Sequence, residues 1–118
     1  MNEGPSRTVP PEIGVLAAAE LLRCGEPGSP FLLDCRTPDE HAIAAIGGAT
    51  LIPMHELPAR LSEIERYRGT TIIVHCHHGV RSLRVASWLR ERGFPAVTSM
   101  AGGIDAWSLR VDPRVPRY

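Results

Sequence analysis

Thr71-Ile-Ile-Val-His75-Cys76-His-His-Gly79-Val-Arg81-Ser82 is the stretch on which the fold turns. Its first half, Thr71 to Val74, is a continuous apolar and β-branched run, the pattern of a central parallel strand covered on both faces. Its second half leads into a helical pattern from Ser82 to Arg92. Val85, Ala86 and Leu89 form the inward face of that pattern, Arg84, Arg90 and Arg92 lie elsewhere on it, and Gly93 is its stop. A buried strand that gives way to a helix within a few residues puts the intervening loop at the carboxyl edge of a sheet, where open α/β folds bind ligands.

The same alternation continues in both directions. Phe31-Leu-Leu33, Ala49-Thr-Leu-Ile52 and Ala96-Val-Thr98 read as further strands, with a weaker strand signal at Arg7-Thr-Val9. Pro11 suits a first helical turn, from which Ile13, Leu16, Ala17, Ala19, Glu20 and Leu21 carry a helical period to Gly25. A second helix begins at Pro38-Asp-Glu40, with its acidic residues where the dipole favours them. A third runs from Leu57 to Ile64, with Pro58 in its first turn, and Gly103 to Ser108 forms a last short one. Strands and helices joined by short connections predict one α/β domain, an open and mostly parallel sheet with helices over it. We assign residues 1–8 to a flexible N-terminal segment, 9–110 to the domain and 111–118 to a C-terminal tail.

The bulk numbers fit this. The 118 residues, 43% of them hydrophobic, are enough for one core without disulfide or metal staples. Thirteen basic residues balance thirteen acidic ones, so no nucleic-acid footprint or membrane-surface attraction is predicted. Three cysteines (Cys24, Cys35, Cys76), without the spacing of a disulfide framework, predict a reducing compartment. With neither the apolar stretch of a signal peptide nor the ~20 apolar residues of a membrane span, the expected location is the cytoplasm.

Within the loop, each residue type has a chemical use. Gly79 lets the chain curl, so that successive N–H groups converge into an anion nest at a helix N-terminus. Cys76 places its sulfur where that nest lowers a thiol's pKa, and the thiolate is the nucleophile. Arg81 offers a planar fork of donors to an anionic substrate. His77 and His78 add partial positive charge near neutral pH, and Ser82 suits a helix cap. Burial as a small core hydrophobe accounts for Cys24 and Cys35, but not for a cysteine sharing its loop with Gly79 and Arg81. A metal site from His75, Cys76, His77 and His78 is disfavoured, because four adjacent ligands do not easily close a tetrahedron.

The segment Cys76-His-His-Gly-Val-Arg-Ser82 resembles the active-site loop of rhodanese-like sulfurtransferases. Three more stretches agree with that family. Leu33-Asp34-Cys35-Arg36, followed by Glu40, is similar to its D-x-R…E signature. Ile46-Gly-Gly-Ala49 with Ile52-Pro53 resembles its I-P-G-A…I-P segment, although Gly47 replaces the usual proline and Ala44-Ala45 stand where Gly-His is common. Met100-Ala-Gly102-Gly103-Ile-Asp-Ala-Trp107 resembles its closing G-G-x-x-A-W element.

The resemblance implies a five-stranded, mainly parallel sheet with helices on both faces. It also implies a reaction in which Cys76 takes the outer sulfur of thiosulfate or a similar donor and passes it from a persulfide to cyanide, a thiol or a sulfur-carrier protein. No cofactor is implied. The loop residues His77, His78, Gly79, Val80, Arg81 and Ser82 would bind the donor, with Arg81 holding its negative charge. Asp34, Arg36, Glu40, Gly102 and Gly103 would support the site. Of these, Arg36 is expected to pair with Glu40 and pin the second helix, and Gly102-Gly103 to turn tightly beside the loop. Cys35, Trp88 and Trp107 are expected in the core. The tail 111–118 resembles the end of rhodanese modules attached to enzymes that activate ubiquitin-like sulfur carriers.

Two other functions compete. Cysteine phosphatases and arsenate reductases also cradle an oxyanion in a loop at a helix N-terminus, but with five residues between cysteine and arginine, whereas four separate Cys76 from Arg81. A smaller ring suits a sulfur atom better than a tetrahedral anion. The second competitor is an interaction module for sulfur delivery in which turnover of small molecules is incidental.

Overall fold

The computed structural model describes residues 9–23 and 29–118. Five strands, β1 (Glu12–Ile13), β2 (Phe31–Asp34), β3 (Thr50–Leu51), β4 (Ile72–His75) and β5 (Val97–Met100), form a parallel sheet in the order β1-β5-β4-β2-β3. The β-branched run chosen from the sequence is its centre, with all four β4 residues buried. Successive side chains of a strand face opposite sides. Ile73 accordingly joins a layer with Val15, Ala18, Ile104 and Trp107 from helices α1 (Val15–Arg23) and α5 (Gly103–Arg110). Ile72 and Val74 join the other layer, with Leu57 of α3 (Leu57–Arg60) and Val85, Ala86 and Leu89 of α4 (Val80–Glu91). A fully buried aliphatic side chain contributes about 1.5–3 kcal/mol, so these two layers hold the sheet between its helices. Cys76 continues the series Ile72, Val74 and belongs to the α4 layer.

Four sequence expectations are corrected. Pro11 is not in a helix. Its carbonyl accepts from Ser99 N at 2.9 Å, and Ile13 O accepts from Ala101 N at 2.8 Å, so this segment completes the β5 edge before α1 begins at Val15. Unpaired edge amides outweigh a weak helical period. The fifth strand therefore lies at Glu12–Ile13, and Val9 is not in a strand. Arg7, Thr8, Cys24 and Gly25 lie outside the described residues. The third helix is α-helical only over Leu57–Arg60, flanked by 3-10 turns at Met54–Glu56 and Leu61–Tyr67. Leu61, Ile64 and Tyr67 pack on the core at a spacing of three, which matches the three residues per turn of a 3-10 helix. The fourth helix begins at Val80, two residues before Ser82.

Helix α2 (Pro38–Ile43) starts where the acidic turn predicts, in a reciprocal capping box between Thr37 and Glu40. Trp107 and Cys35 are buried, and Trp88 packs against the α4 layer.

Candidate active site

Because β4 ends at His75 and α4 starts at Val80, Cys76 sits at the sheet's carboxyl edge directly below a helix N-terminus. The first amides of a helix lack intrahelical acceptors, and here they turn to sulfur. Gly79 N–H donates to Cys76 Sγ at 3.1 Å and Ser82 N–H at 3.3 Å, with His78 N–H also directed at it. Ser82 Oγ lies 3.5 Å from the sulfur and 2.7 Å from Ser99 Oγ of β5. Burial pushes the Cys76 thiol pKa up. The Ser82 hydroxyl and the Ser82, Gly79 and His78 amides outweigh it, so the net position is below that of an ordinary thiol. The residue is 1% exposed, and its sulfur lies beneath the loop rather than on it.

Ser82 does not cap the helix as its type suggests. Gly79 occupies the cap with φ +103°, and Ser82 is a buried residue of the first turn that spends its amide and hydroxyl on sulfur and Ser99. A side chain at Gly79 would also meet Gly102 N at 3.1 Å and Met100 O at 3.3 Å.

Gly102 and Gly103 do turn tightly against the loop. Ile104 N–H donates to Cys76 O at 2.9 Å and Asp105 N–H to His77 O at 3.1 Å, which fixes the loop's main chain from behind. A Cβ on Gly103 would stand 2.5 Å from Cys76 O and closer still to His77 O. Gly103→Ala is therefore expected to displace the cradle, raise the Cys76 pKa toward the free-thiol value and slow its alkylation at pH 7 by about tenfold. Matched alkylation rates for variant and parent would show that the loop tolerates the shift.

The charged residues are arranged differently from expectation. Arg36 is fully buried and forks onto Asp34, with Nε–Oδ1 at 2.8 Å and Nη2–Oδ2 at 2.7 Å. It also donates to Ala44 O at 2.7 Å and to Tyr118 Oη at 2.9 Å. Its only link to Glu40 is a 3.4 Å bond to the main-chain carbonyl, so the predicted Arg36–Glu40 ion pair is not formed. Asp34 is nearer along the strand and equally buried, and an unpaired carboxylate there would be costly. Burial pushes the Asp34 carboxyl up, but Arg36, His75 and His41 leave it below its ordinary value.

The Glu40 carboxylate is bound instead to Arg81, at 2.7 and 2.9 Å, and accepts from Tyr118 O–H at 2.9 Å. Arg81 holds its carboxyl far below the usual range. Tyr118 also stacks on His77 with ring centroids 3.8 Å apart, and His77 stacks on His78. Sequence reasoning missed Tyr118 and Ser99. The first reaches the site from the tail, and the second is recognisable only once β5 is in register beside β4.

The remaining candidates separate. His75 is fully buried, 4.0 Å from Asp34 Oδ2, and burial lowers its pKa to about 4, so it is neutral. Val80 is 69% exposed at the loop's outer rim. His77, His78 and Asp105 bring ligand atoms within 4.8 Å of one another, but Asp105 is taken by Arg117 at 2.8 Å. Cys35 follows the register pair Asp34↔His75 and so neighbours Cys76, while burial, and then Cys76 itself, push its thiol up to about 12.

A family model described as a rhodanese-like domain matches residues 17–110. The chain is 38% identical over 78 residues to a sulfurtransferase of Allochromatium vinosum, covering 66% of this chain and 71% of that protein. It is 33% identical over 120 residues to the adenylyltransferase and sulfurtransferase MOCS3-1 of Zea mays, covering 97% of this chain. The crystal structure of a rhodanese-like domain protein from Staphylococcus aureus superposes with a TM-score of 0.75 at 27% identity, covering 91% of this chain and 97% of that one. The chain spans only 26% of the maize protein's length, and 30% of a rhodanese-like/PpiC domain-containing protein of Arabidopsis thaliana.

Proposed function

The chain belongs to the rhodanese-like domain family, and from that premise we propose that it is a sulfurtransferase carrying sulfur as a persulfide on Cys76. The observation that supports this most is the convergence of the Gly79 and Ser82 amides on Sγ, 3.1 and 3.3 Å away. Fixed donors stabilise a thiolate before reaction and a terminal sulfur anion after it. The thiolate attacks the outer sulfur of the donor, forming a new S–S bond at Cys76. The donor's own S–S bond breaks, and with thiosulfate the leaving group is sulfite, which departs with the electron pair. An acceptor nucleophile then attacks the terminal sulfur and returns the Cys76 thiolate. Val80 and His78 line the groove beside the loop, and Arg81, whose fork is held by Glu40, is the loop's own cation for the donor's charge. A reducing, cytoplasmic setting keeps such a thiolate free.

The acceptor we favour is a sulfur-carrier protein. The similarity to the maize adenylyltransferase and sulfurtransferase covers 97% of this chain. An open groove of about 840 Å³ beside the loop, lined by His78, Gly79, Val80, Leu83 and Trp88, offers a protein acceptor apolar surface next to Cys76.

The test is intact-mass analysis after exposure to thiosulfate and to a low-molecular-weight persulfide. One added sulfur atom is expected on Cys76, removable by cyanide as thiocyanate. No sulfur on Cys76 from either donor, or Cys76-dependent hydrolysis of aryl phosphates, would overturn the assignment.

A further inference from the structure

Cys35 is a second thiol beside the site, and the transfer of sulfur does not use it. Leu33 and Val74 are partners in the β2–β4 register and lie in the same core layer, and Cys35 and Cys76 stand two residues further along each segment. Side chains two apart in a strand share a face. Both thiols therefore enter the α4 layer, where each is free and 1% exposed. The pairing still holds at that point, because Cys35 N–H donates to His75 O at 3.1 Å. Neighbouring strands lie about 4.7–4.9 Å apart, inside the roughly 4.4–6.8 Å between Cα atoms that a disulfide spans. Electrostatics agrees with this proximity: after burial, the Cys76 thiolate is the largest influence raising the Cys35 pKa.

We infer that Cys35 is a resolving thiol: when a hydroperoxide oxidises Cys76, Cys35 closes an internal Cys35–Cys76 disulfide, which protects the nucleophile from irreversible oxidation until a dithiol reopens it. The Cys76 thiolate takes the terminal oxygen of the peroxide, the O–O bond breaks, and hydroxide or alkoxide leaves with the electron pair. Cys76 is then a sulfenic acid. Cys35 Sγ bonds to Cys76 Sγ, the S–O bond breaks, and the departing hydroxide takes the Cys35 proton and leaves as water. The peroxide gains two electrons and the two thiols lose two. The amides that hold Cys76 as a thiolate make it the sulfur that peroxide meets first. Cys35 stays protonated while Cys76 is anionic. A sulfenic acid is uncharged, so the Cys76 contribution to the Cys35 pKa falls away at the step where Cys35 is needed. Once ionised, a thiol of high pKa is also the stronger nucleophile. The step requires a reactive Cys76 thiolate and no sulfur donor.

The test is a hydrogen peroxide titration of the full chain without sulfur donor, read by intact mass and peptide mapping. The parent should become about 2 Da lighter, with Cys35 and Cys76 joined in one cross-linked peptide pair. Dithiothreitol should then restore at least about nine-tenths of the Cys76 that iodoacetamide alkylates. Cys35→Ser should show no such loss of mass and should label with dimedone as a sulfenic acid. It should go on to a sulfinic acid about 32 Da heavier, with at least about fivefold less Cys76 recovered by the reductant. A parent that gains oxygen instead of losing hydrogen would overturn the inference. So would a bond from Cys76 to Cys24 or to a second chain, or equal recovery in parent and variant. The mapped bond in the parent decides the matter without the variant, should Cys35→Ser fail to fold. A Cys35–Cys76 bond with no persulfide from any donor would overturn the sulfurtransferase reading and leave the resolving role standing.

Discussion

Cys76→Ala is expected to reduce sulfur transfer by at least about 10³-fold, the scale of losing a covalent nucleophile, with no rescue by the neighbouring thiol. Cys35 is adjacent across the β2–β4 register and belongs to the same buried cluster. Proximity alone would make it a plausible substitute. Its environment argues otherwise, because burial pushes its thiol up to about 12, leaving almost no thiolate at neutral pH. The amides that lower the Cys76 pKa are aimed at one sulfur position, and Cys35 is not in it. Steady-state transfer to cyanide by Cys76→Ala and by Cys35→Ser checks both halves. The first variant should be inactive and the second should remain active. Substantial turnover by Cys76→Ala would move the chemistry elsewhere.

Arg36→Met is expected to destabilise the domain by about 3–5 kcal/mol, the cost of removing one partner of a buried ion pair. Arg36 and Asp34 are both fully buried, and the guanidinium satisfies both carboxylate oxygens, the Ala44 carbonyl and Tyr118. Methionine fills similar volume but leaves the carboxylate without its cation, with the main-chain N–H of residue 36 at 3.0 Å, His41 at 2.9 Å and the more distant His75. Chemical denaturation of the parent, Arg36→Met, Asp34→Leu and the double variant would measure the coupling. The double variant should recover much of the single variant's loss, since no charge is then stranded. Additive losses would mean that the pair is not coupled.

These two residues illustrate what the sequence makes legible. The Cys76 loop was readable because its cues are local: an apolar run that must be a buried strand, a glycine that must turn, and a helix that must start with free amides. The same locality marked α2 through its acidic first turn and the Gly102-Gly103 approach through its doublet. Arg36 shows the limit. Three carboxylates, Asp34, Asp39 and Glu40, lie within four residues of it, and which one it meets depends on strand burial, which spacing does not encode. Tyr118 reaches Arg36 and Glu40 from 82 and 78 residues away, and no local pattern announces that. Strand β1 is recruited from a helix-like segment by the exposed amides of β5, a tertiary demand that overrides propensity. Ser82 was recognised by type and misplaced in role, because the helix starts earlier to present its amide to sulfur.

The cradle is the centre of the account, and it has one direct measurement. Thiolate absorbance titrated against pH, taken as the difference between the parent and Cys76→Ala, should give a midpoint below the ~8.5 of a free cysteine. A midpoint at or above that value would contradict the account, because the sulfur would then be a buried thiol that its surrounding amides do not stabilise as an anion.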